Sequence, residues 1–360
     1  MTGPIETKAI DQQKMEQFVH RVLGDTSALT TAVLGALGDK LGLFKDLHVQ
    51  GPASSAELAR RAGVQERYAR EWLRAMASAG YLTYDLASHR FALPPEHAPV
   101  LAQETGPVFF GGTWEMLMGM LRPIDKLAQA FKEGGGVAQT DYPDATYHGM
   151  DRFTAGWFEN LLVQEWLPAV PAVKAALDRG IDVADVGCGR GRAVIKFAQA
   201  FPKARVVGYD IYQPNIDRAI ANAQAAGLAA RVKFERLDAS KAIPGQYDLI
   251  TTFDVIHDAV DPRGLLRTIR QALRPHGTYL CLDVNCSDKL EENTGPLASL
   301  FYGFSLVYCM TTSLANGGEG LGTCGLPESK LRELALSAGF SSVQKLPLEN
   351  PFNNLYDVKP

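Results

Sequence analysis

The stretch Asp185-Val186-Gly187-Cys188-Gly189-Arg190-Gly191 decides the fold of this 360-residue chain. It follows an apolar run that begins at Ile181, and it opens a segment with helical periodicity at 191–201. Glycines at such a strand-to-helix turn let the backbone bend tightly and approach a ligand closely. The dinucleotide fingerprint G-x-G-x-x-G is incomplete, because Arg192 stands where its last glycine belongs.

Strands and helices alternate on both sides of this turn. The pattern predicts strands at 181–187, 205–210, 231–236, 247–254 and 277–283, and helices at 191–201, 214–226, 262–273 and Pro327–Ala338. Such alternation predicts an α/β fold with a doubly wound, Rossmann-like parallel sheet. The last two strands, 341–346 and 353–358, have no helix between them. We therefore expect them to form an antiparallel hairpin at one edge.

Acidic residues stand at the ends of three successive strands. Asp185 precedes the glycines, Asp210 lies 19 residues after Gly191, and Asp238 follows the third strand. A carboxylate at the position of Asp210 suits a ribose diol, and one at Asp238 suits an adenine amino group. Together with the glycine turn, these acids describe a site for a positively charged nucleoside without phosphates, which is S-adenosylmethionine.

These residues carry a family resemblance. Asp185–Gly191, Asp210, Leu237-Asp238-Ala239 and Phe253–Asp258 resemble the motifs of class I S-adenosylmethionine-dependent methyltransferases over about residues 179–360. The whole chain resembles bacterial relatives of small-molecule O-methyltransferases, whose N-terminal domain dimerises. The expected cofactor-binding residues are Asp185, Gly187, Gly189, Asp210, Ile211, Asp238, Ala239 and Phe253.

His257 is the expected catalytic residue, together with Asp258. It follows the fourth strand, and plant-type O-methyltransferases, which it resembles here, use the histidine of a His-Asp pair as general base. An imidazole with an ordinary pKa near 6.5 can accept a hydroxyl proton, and Asp254 or Asp258 would orient it. Contact with the cofactor alone, or plain packing, remain alternatives. Because sulfur needs little base, transfer to a thiol or to a methylthio-hydroxy acid also stays open.

The acceptor pocket is expected between two segments that flank the sheet. One is the aromatic segment Tyr142–Phe158, interpreted as a loop at Tyr142–Tyr147 and as a lid over the site, and the other is Leu300–Met310. Methyl transfer requires an aligned nucleophile and the exclusion of water. The expected pocket residues are Tyr142, Tyr147, His148, Arg152, Trp157, Phe158 and Tyr302.

The N-terminal part has a different pattern. Apolar residues recur at helical spacing over 12–47, and helix, turn, helix and hairpin follow to about residue 96, which is the winged-helix pattern. Arg67, Arg70 and Arg74 share one helix face, as in a DNA-recognition helix, but Glu66 and Glu71 interleave with them. We therefore expect this domain to form a homodimer, with a transcription regulator that senses S-adenosylmethionine as the alternative function.

The expected domains are 1–104 for dimerisation, 105–178 as a helical linker and lid, and 179–360 for methyl transfer, with an acceptor-pocket insertion at 284–326. With 36 basic and 40 acidic residues, the chain has a formal charge of −4, so no general attraction to nucleic acid or anionic membranes is expected. The uncharged run at 297–314 contains several hydroxyl groups and is interpreted as a pocket helix rather than a membrane span.

Five cysteines without a C-x-x-C pair predict free thiols and no metal site. The N-terminal stretch carries Glu6, Asp11 and Glu16 before any apolar run, which is not typical of a targeting peptide. Free thiols and this N-terminal stretch together predict a cytoplasmic protein. We expect its partners to be a small-molecule acceptor and a second copy of the chain.

Overall fold

The computed structural model describes residues 10–360, which divide into two units. The first contains the described residues up to Glu104 together with Phe109–Trp114, and the second contains Thr105–Val108 and Glu115–Pro360. Glu6, one of the acids in the N-terminal stretch, lies outside the described residues.

The first unit has the predicted winged-helix arrangement. Ser54 and Glu57 form a reciprocal capping box at the start of the third helix, which satisfies two backbone N–H groups there. The fourth helix buries Trp72, Leu73 and Met76 at helical spacing against Phe44 and its neighbours. The elements are α1 (Gln12–Lys40), α2 (Leu43–Gln50), α3 (Ser55–Ala62), α4 (Glu66–Ser78), β1 (Thr83–Asp85), β2 (Arg90–Ala92) and α5 (Ala98–Leu101).

Helix α1 leaves a large apolar surface in contact with solvent. Its residues 12–30 are exposed all round, and Phe18, Leu23 and Leu29 are 64%, 63% and 54% exposed. Exposed apolar surface continues toward the C-terminal end of the helix at Val33 and Leu37. Contiguous apolar surface of this kind is typical of an interaction face.

Four helices precede the sheet: α6 (Gly111–Met120), α7 (Ile124–Glu133), α8 (Asp144–Asn160) and α9 (Pro171–Arg179). The interpretation of Tyr142–Tyr147 as a loop was wrong, because α8 begins at Asp144 and includes Tyr147 and His148. Pro143 at the cap position and an acidic residue in the first turn are both compatible with a helix start. The aromatic segment therefore continues as a 17-residue helix.

The second unit is built on a seven-stranded sheet in the order β5-β4-β3-β6-β7-β9-β8. Strands β3 to β7 pair in parallel, and β9 pairs antiparallel with both β7 and β8, which confirms the predicted edge hairpin. The strands are β3 (Asp182–Val186), β4 (Arg205–Asp210), β5 (Val232–Arg236), β6 (Tyr247–Phe253), β7 (Leu273–Val284), β8 (Ser342–Lys345) and β9 (Asn353–Lys359).

Helices cover both faces of this sheet, as the doubly wound pattern predicts. Strand β7 begins four residues earlier than expected, because Leu273 already pairs with Tyr247 before a register shift. The helices after the glycine turn are α10 (Arg192–Ala200), α11 (Gln213–Ala225), α12 (Pro262–Ala272), α13 (Gly295–Phe304), α14 (Met310–Ala315) and α15 (Glu328–Ser337), of which α10, α11, α12 and α15 pack against the strands.

The continuous helical segment Gly295–Ala315 is long and apolar enough to cross a bilayer by length and composition. Its most apolar window has a mean hydropathy of 1.4 and is 39% buried. A core helix of a soluble protein passes the same test, so this feature is weak evidence for a membrane. Thr311, Thr312 and Ser313 within it are buried inside the fold.

Candidate active site

A cavity of about 1010 Å³ lies at the carboxyl ends of the central strands, within the second unit. In α/β sheets this edge is where ligands bind. The cavity walls include all of the residues expected to bind the cofactor, namely Asp185, Gly187, Gly189, Asp210, Ile211, Asp238, Ala239 and Phe253. The structure therefore brings together residues that are up to 68 positions apart in the sequence.

The glycine turn is held by hydrogen bonds from its own backbone. The N–H groups of Gly187 and Cys188 donate to the carbonyl oxygen of Tyr209 at 2.7 and 2.9 Å. Gly187 has φ of +72°, and a Cβ atom there would lie 2.5 Å from the side chain of Val255. Only glycine fits both the left-handed backbone and this close approach.

Asp210 fixes the same turn from the neighbouring strand. Its Oδ2 accepts a hydrogen bond from Gly189 N at 2.9 Å, and its Oδ1 accepts one from Tyr212 N at 2.8 Å. Burial raises the pKa of this carboxyl, although both backbone N–H donors oppose that effect. The carboxylate thus sits preorganised at the end of β4.

Asp185 and Asp238 lie on either side of Asp210, and they differ in burial and in the direction in which their pKa values are shifted. Asp185 is 2% exposed and accepts a hydrogen bond from Thr251 Oγ1 at 2.7 Å. Burial, together with the charge of Asp210, raises the pKa of Asp185 to about 7. Partial burial also opposes ionisation of Asp238, but hydrogen bonds from Ser240 and Lys241 outweigh it and lower the pKa of that carboxyl.

His257 lies in a turn at the carboxyl end of β6 and is 4% exposed. Its Nδ1 atom is 2.6 Å from Oδ1 of Asp283, and its Nε2 atom is 3.2 Å from Oδ1 of Asp258. Burial alone would lower the pKa of His257, but the two carboxylates outweigh it and raise that pKa well above its usual range. This imidazole is therefore oriented by one carboxylate and faces another.

Asp283 is the supporting acid that motif matching did not locate. It is 1% exposed and stands at the end of β7, next to the end of β6. The signal was present in the sequence, since Asp283 is the last residue of the strand predicted at 277–283. Asp254, expected as a possible orienting group for His257, instead accepts a hydrogen bond from Asn353 Nδ2 at 2.6 Å.

Helix α8 forms one wall of the cavity and is tied to the glycine turn and α10 by charge. Arg190 donates to Asp144, and Arg192 makes two hydrogen bonds to Asp151 at 2.7 and 2.8 Å. Lys196 adds a third ion pair at 2.6 Å, to Glu159 at the end of α8. Ion pairs along one face of α8 thus hold this wall beside the predicted cofactor site.

Tyr147, Trp157 and Phe158 of the expected pocket residues line the cavity. Phe158 packs edge-on against Phe253 with ring centroids 5.1 Å apart. Tyr147 packs on Tyr212 at 4.9 Å. These aromatic contacts join α8 to the strand ends that carry the cofactor-site residues.

The structure does not bring the other four expected pocket residues to the cavity wall. His148 and Arg152 lie one helical turn apart and both contact Glu115, because helical periodicity turns them away from the face that carries Tyr147. Tyr142 is buried behind the wall, where its hydroxyl donates to the carbonyl of Val307 at 2.7 Å. Tyr302 is 41% exposed on α13.

The sequence reasoning also missed polar side chains that do line the cavity. Arg190 is 5% exposed, and its Nε atom has no hydrogen-bond partner among residues 10–360. Asn353 is 2% exposed, and its Oδ1 atom is likewise unpartnered within that range. Such buried orphan atoms are costly and mark positions that a ligand can satisfy.

Two groups of side chains have ligand atoms close enough to hold a metal ion. They are His257, Asp258 and Cys309, and Asp254, His257 and Asp283, with all atoms of a group within 4.8 Å of one another. Both groups share His257, so they overlap with the candidate base. The absence of a metal site stays a prediction.

Two family models match the chain. The model described as "Methyltransferase domain" matches residues 177–309, and the model described as "Rv2258c-like winged HTH domain" matches residues 29–103. A curated relative, a ubiquinone biosynthesis O-methyltransferase from Cereibacter sphaeroides, is 29% identical over 110 residues. That match covers 31% of this chain and 44% of the relative, so the chain spans less than half the length of the first curated relatives.

Solved structures resemble nearly the whole chain. The mitomycin 7-O-methyltransferase has a TM-score of 0.68 at 21% identity, covering 97% of this chain and 99% of that one. Human N-acetylserotonin methyltransferase in complex with S-adenosylmethionine has a TM-score of 0.64 at 20% identity, covering 99% of each chain. At these identities the likeness shows a shared fold.

Proposed function

We propose that this chain, which carries a methyltransferase domain behind a winged helix-turn-helix domain, is an S-adenosylmethionine-dependent methyltransferase of a small organic molecule. The main support for the proposal is that Asp185, Asp210 and Asp238 line one cavity together with the glycine turn. The cavity also contains His257, so a group that can move a proton stands beside the predicted cofactor site.

The side chains that line the cavity have charges and hydrogen-bonding groups that match those of S-adenosylmethionine. Three carboxylates suit a ligand with an ammonium group, a sulfonium group, a ribose diol and an adenine amino group. The unpartnered Nε of Arg190 gives the same cavity a buried cationic donor, which suits the carboxylate of the methionine moiety. When bound, S-adenosylmethionine supplies an electrophilic methyl group on its sulfonium centre.

The protein's own contribution begins with His257. The Asp283 carboxylate binds Nδ1 and leaves Nε2 on the side of Asp258 and the cavity. The raised pKa of His257 favours the imidazolium in the ligand-free protein. A cation bound in the same cavity disfavours that second positive charge, and the neutral imidazole can then accept a proton from an acceptor hydroxyl.

This proton-accepting arrangement favours oxygen as the methylated atom. A hydroxyl group is a poor nucleophile until its proton is removed, whereas a thiol is partly ionised near neutral pH. A buried His-Asp pair therefore has more to contribute to an oxygen acceptor. Sulfur transfer remains the alternative, and its signature is turnover that hardly depends on His257.

We also propose that two copies of the chain associate through the N-terminal unit. In this proposal residues 179–360 carry out methyl transfer, and residues 105–178 form the linker and the lid. The exposed apolar surface of α1, with Phe18, Leu23 and Leu29, supports association. DNA binding has less support, because Arg67 contacts Glu71 and Arg70 contacts Glu66 on the helix that would read bases. We place the enzyme in the cytoplasm on the strength of its free thiols.

Calorimetric titration of S-adenosylmethionine and S-adenosylhomocysteine into the purified protein tests the cofactor assignment. We expect both to bind with micromolar affinity and with one site per chain. Binding of neither would contradict the proposed function. A salt-dependent mobility shift with duplex DNA in that case would bring forward the transcription regulator instead.

A further inference from the structure

Asp254 has an unusual backbone conformation and lies in the wall of the cavity. Its φ is +56°, and only His89 and Thr105 share a positive φ among the non-glycine residues from 10 to 360. The left-handed region is unfavourable for residues with a Cβ atom, and such outliers cluster at functional sites. Asp254 directly follows β6 and lines the cavity three residues before His257.

Asn353 completes a polar pair with Asp254. Its Nδ2 donates to Oδ1 of Asp254 at 2.6 Å, and it is the first residue of β9, opposite Val284 of β7. Because the amide nitrogen already donates a hydrogen bond to the carboxylate, the amide oxygen is the atom of this side chain that can accept a hydrogen bond from a ligand. That oxygen is buried, unpartnered among the described residues, and part of a residue that lines the cavity.

The pair lies close to the candidate base, in a cavity wall that also contains aromatic side chains. Carboxylate oxygens of Asp254 and Asp283 and a ring nitrogen of His257 lie within 4.8 Å of one another. Phe352, which precedes Asn353 in the sequence, packs against Trp157 with ring centroids 5.7 Å apart, and both rings line the cavity. An acceptor with an aromatic ring suits a cavity that contains these rings together with His257 and the pair.

The mechanism described above uses neither side chain. Asp283 already orients His257, and the hydrogen bond between Asp254 and Asn353 leaves both residues with spare acceptor oxygens. Acceptor oxygens require a donor, either O–H or N–H. The part of the cavity near Asp254 is rich in carboxyl groups, because Asp258 and Asp283 both contact His257 there.

Resting on the proposed function, we propose that Asp254 and Asn353 form a specificity pair that binds a second hydrogen-bond donor of the acceptor molecule, next to the atom that is methylated. The acceptor is then an aromatic hydroxyl compound with a neighbouring hydroxyl or amino group. A neighbouring carboxylate is disfavoured, because it brings acceptor oxygens and negative charge toward Asp254, Asp258 and Asp283.

Three probes that differ only at the neighbouring ring position test this inference: phenol, catechol and 2-hydroxybenzoate. Their binding to the complex with S-adenosylhomocysteine is measured by calorimetry, and their methylation is measured with labelled S-adenosylmethionine. We expect catechol to exceed phenol at least about tenfold in affinity or kcat/KM, the size of one hydrogen bond to a charged group. We expect 2-hydroxybenzoate to be the weakest.

Asn353→Leu removes the free acceptor oxygen at similar size, and Asp254→Asn replaces the carboxyl group while retaining a residue that tolerates the left-handed backbone. Both substitutions should reduce the preference for catechol over phenol to about threefold or less. The matched control is Asn354→Leu, because Asn354 is the adjacent buried amide of β9, contacts Asn285 and does not line the cavity. It should keep the preference.

The outcomes separate this inference from the proposed function. Failure of S-adenosylhomocysteine to bind the wild-type protein contradicts both. Normal cofactor binding with no preference for catechol, including no binding of any probe, overturns the specificity pair alone. Loss of cofactor affinity in Asn353→Leu at unchanged melting temperature would also overturn it, because the pair would then belong to the cofactor.

Discussion

The two ends of the cavity differ in how completely the side-chain oxygen atoms that line them are hydrogen-bonded. At the cofactor end, Asp210 accepts two backbone hydrogen bonds and Asp238 is held by Ser240, so the carboxylates are fixed before any ligand arrives. At the acceptor end, Oδ1 of Asn353 is buried without a hydrogen-bond partner among the described residues, and Oδ1 of Asp258 faces Nε2 of His257 at 3.2 Å. The first end is preorganised, whereas the second is completed by what binds there.

This difference between the two ends indicates which of them contributes to cofactor affinity and which contributes to turnover. Fixed carboxylates bind a constant ligand without reorganisation. Unpartnered buried groups raise the free energy of the ligand-free site and reward an acceptor that satisfies them. Substitutions at the cofactor end should therefore change affinity for the cofactor, and those at the acceptor end should change turnover.

The largest effect is expected at the acceptor end, for His257→Ala. Removing the proton acceptor should lower turnover of a hydroxyl acceptor by about 10²-fold or more. Affinity for S-adenosylhomocysteine should stay within several-fold of wild type. Single-turnover rates and calorimetry measure the two quantities separately, and an unchanged turnover would remove His257 from the role of base and favour a sulfur acceptor.

The next effect is expected at the cofactor end, for Asp210→Ala. Loss of a carboxylate that both supports the glycine turn and faces the ribose position should weaken cofactor binding by about 1.5–3 kcal/mol. Calorimetry measures it, with Asp217→Ala as the control, because Asp217 is an exposed carboxylate of α11 that accepts a hydrogen bond from Gln213 and does not line the cavity. A wild-type dissociation constant in Asp210→Ala would mean that the ribose is bound elsewhere.

A third effect concerns the protonation of Asp185. Because burial raises its pKa to about 7, this carboxyl is largely protonated at pH 6 and ionised at pH 8 in the ligand-free protein. The ionised form attracts the positively charged cofactor, so affinity for S-adenosylmethionine should rise up to about tenfold between these pH values. Titrations across that range should show the rise in wild type and a flatter profile in Asp185→Asn.

The smallest effect is expected for Asp283→Asn, as a shift in the pH dependence of kcat. It distinguishes the acceptor end of the cavity from the cofactor end. The Asp283 carboxylate raises the pKa of His257, so its loss should lower that pKa and move the acidic limb of kcat to lower pH by about one unit. The cofactor dissociation constant should not change. A displaced profile with an unchanged melting temperature supports a positioning role, whereas a lower maximal rate with no displacement contradicts it.

Much of the cofactor end follows from the sequence, because its residues lie at the ends of consecutive elements. The glycine turn, Asp210 and Asp238 each follow a strand with a clear apolar pattern, and parallel strands bring their carboxyl ends to one edge. The exact pairing register between neighbouring strands has little influence on whether residues at these strand ends meet. The predicted strands and the antiparallel edge hairpin were confirmed for the same reason.

The acceptor end was predicted only in part. The segment Tyr142–Phe158 was correctly identified as aromatic, but its first part, Tyr142–Tyr147, was interpreted as a loop, and the face on which His148 and Arg152 lie was not predicted. Once Asp144 starts a helix, periodicity turns both toward Glu115 and leaves Tyr147, Trp157 and Phe158 on the cavity wall. Local pattern alone did not decide between these two conformations.

The sequence by itself determined the sheet, the glycine turn, the strand-end acids and the likeness to methyltransferases, because each depends on short-range spacing. Only the tertiary structure decided that Asp283 orients His257 across 26 positions and that Asn353 meets Asp254 across 99. Those pairs depend on which strands are neighbours in the sheet and on which way each side chain faces. Both are fixed by packing of the whole domain rather than by the residues beside them.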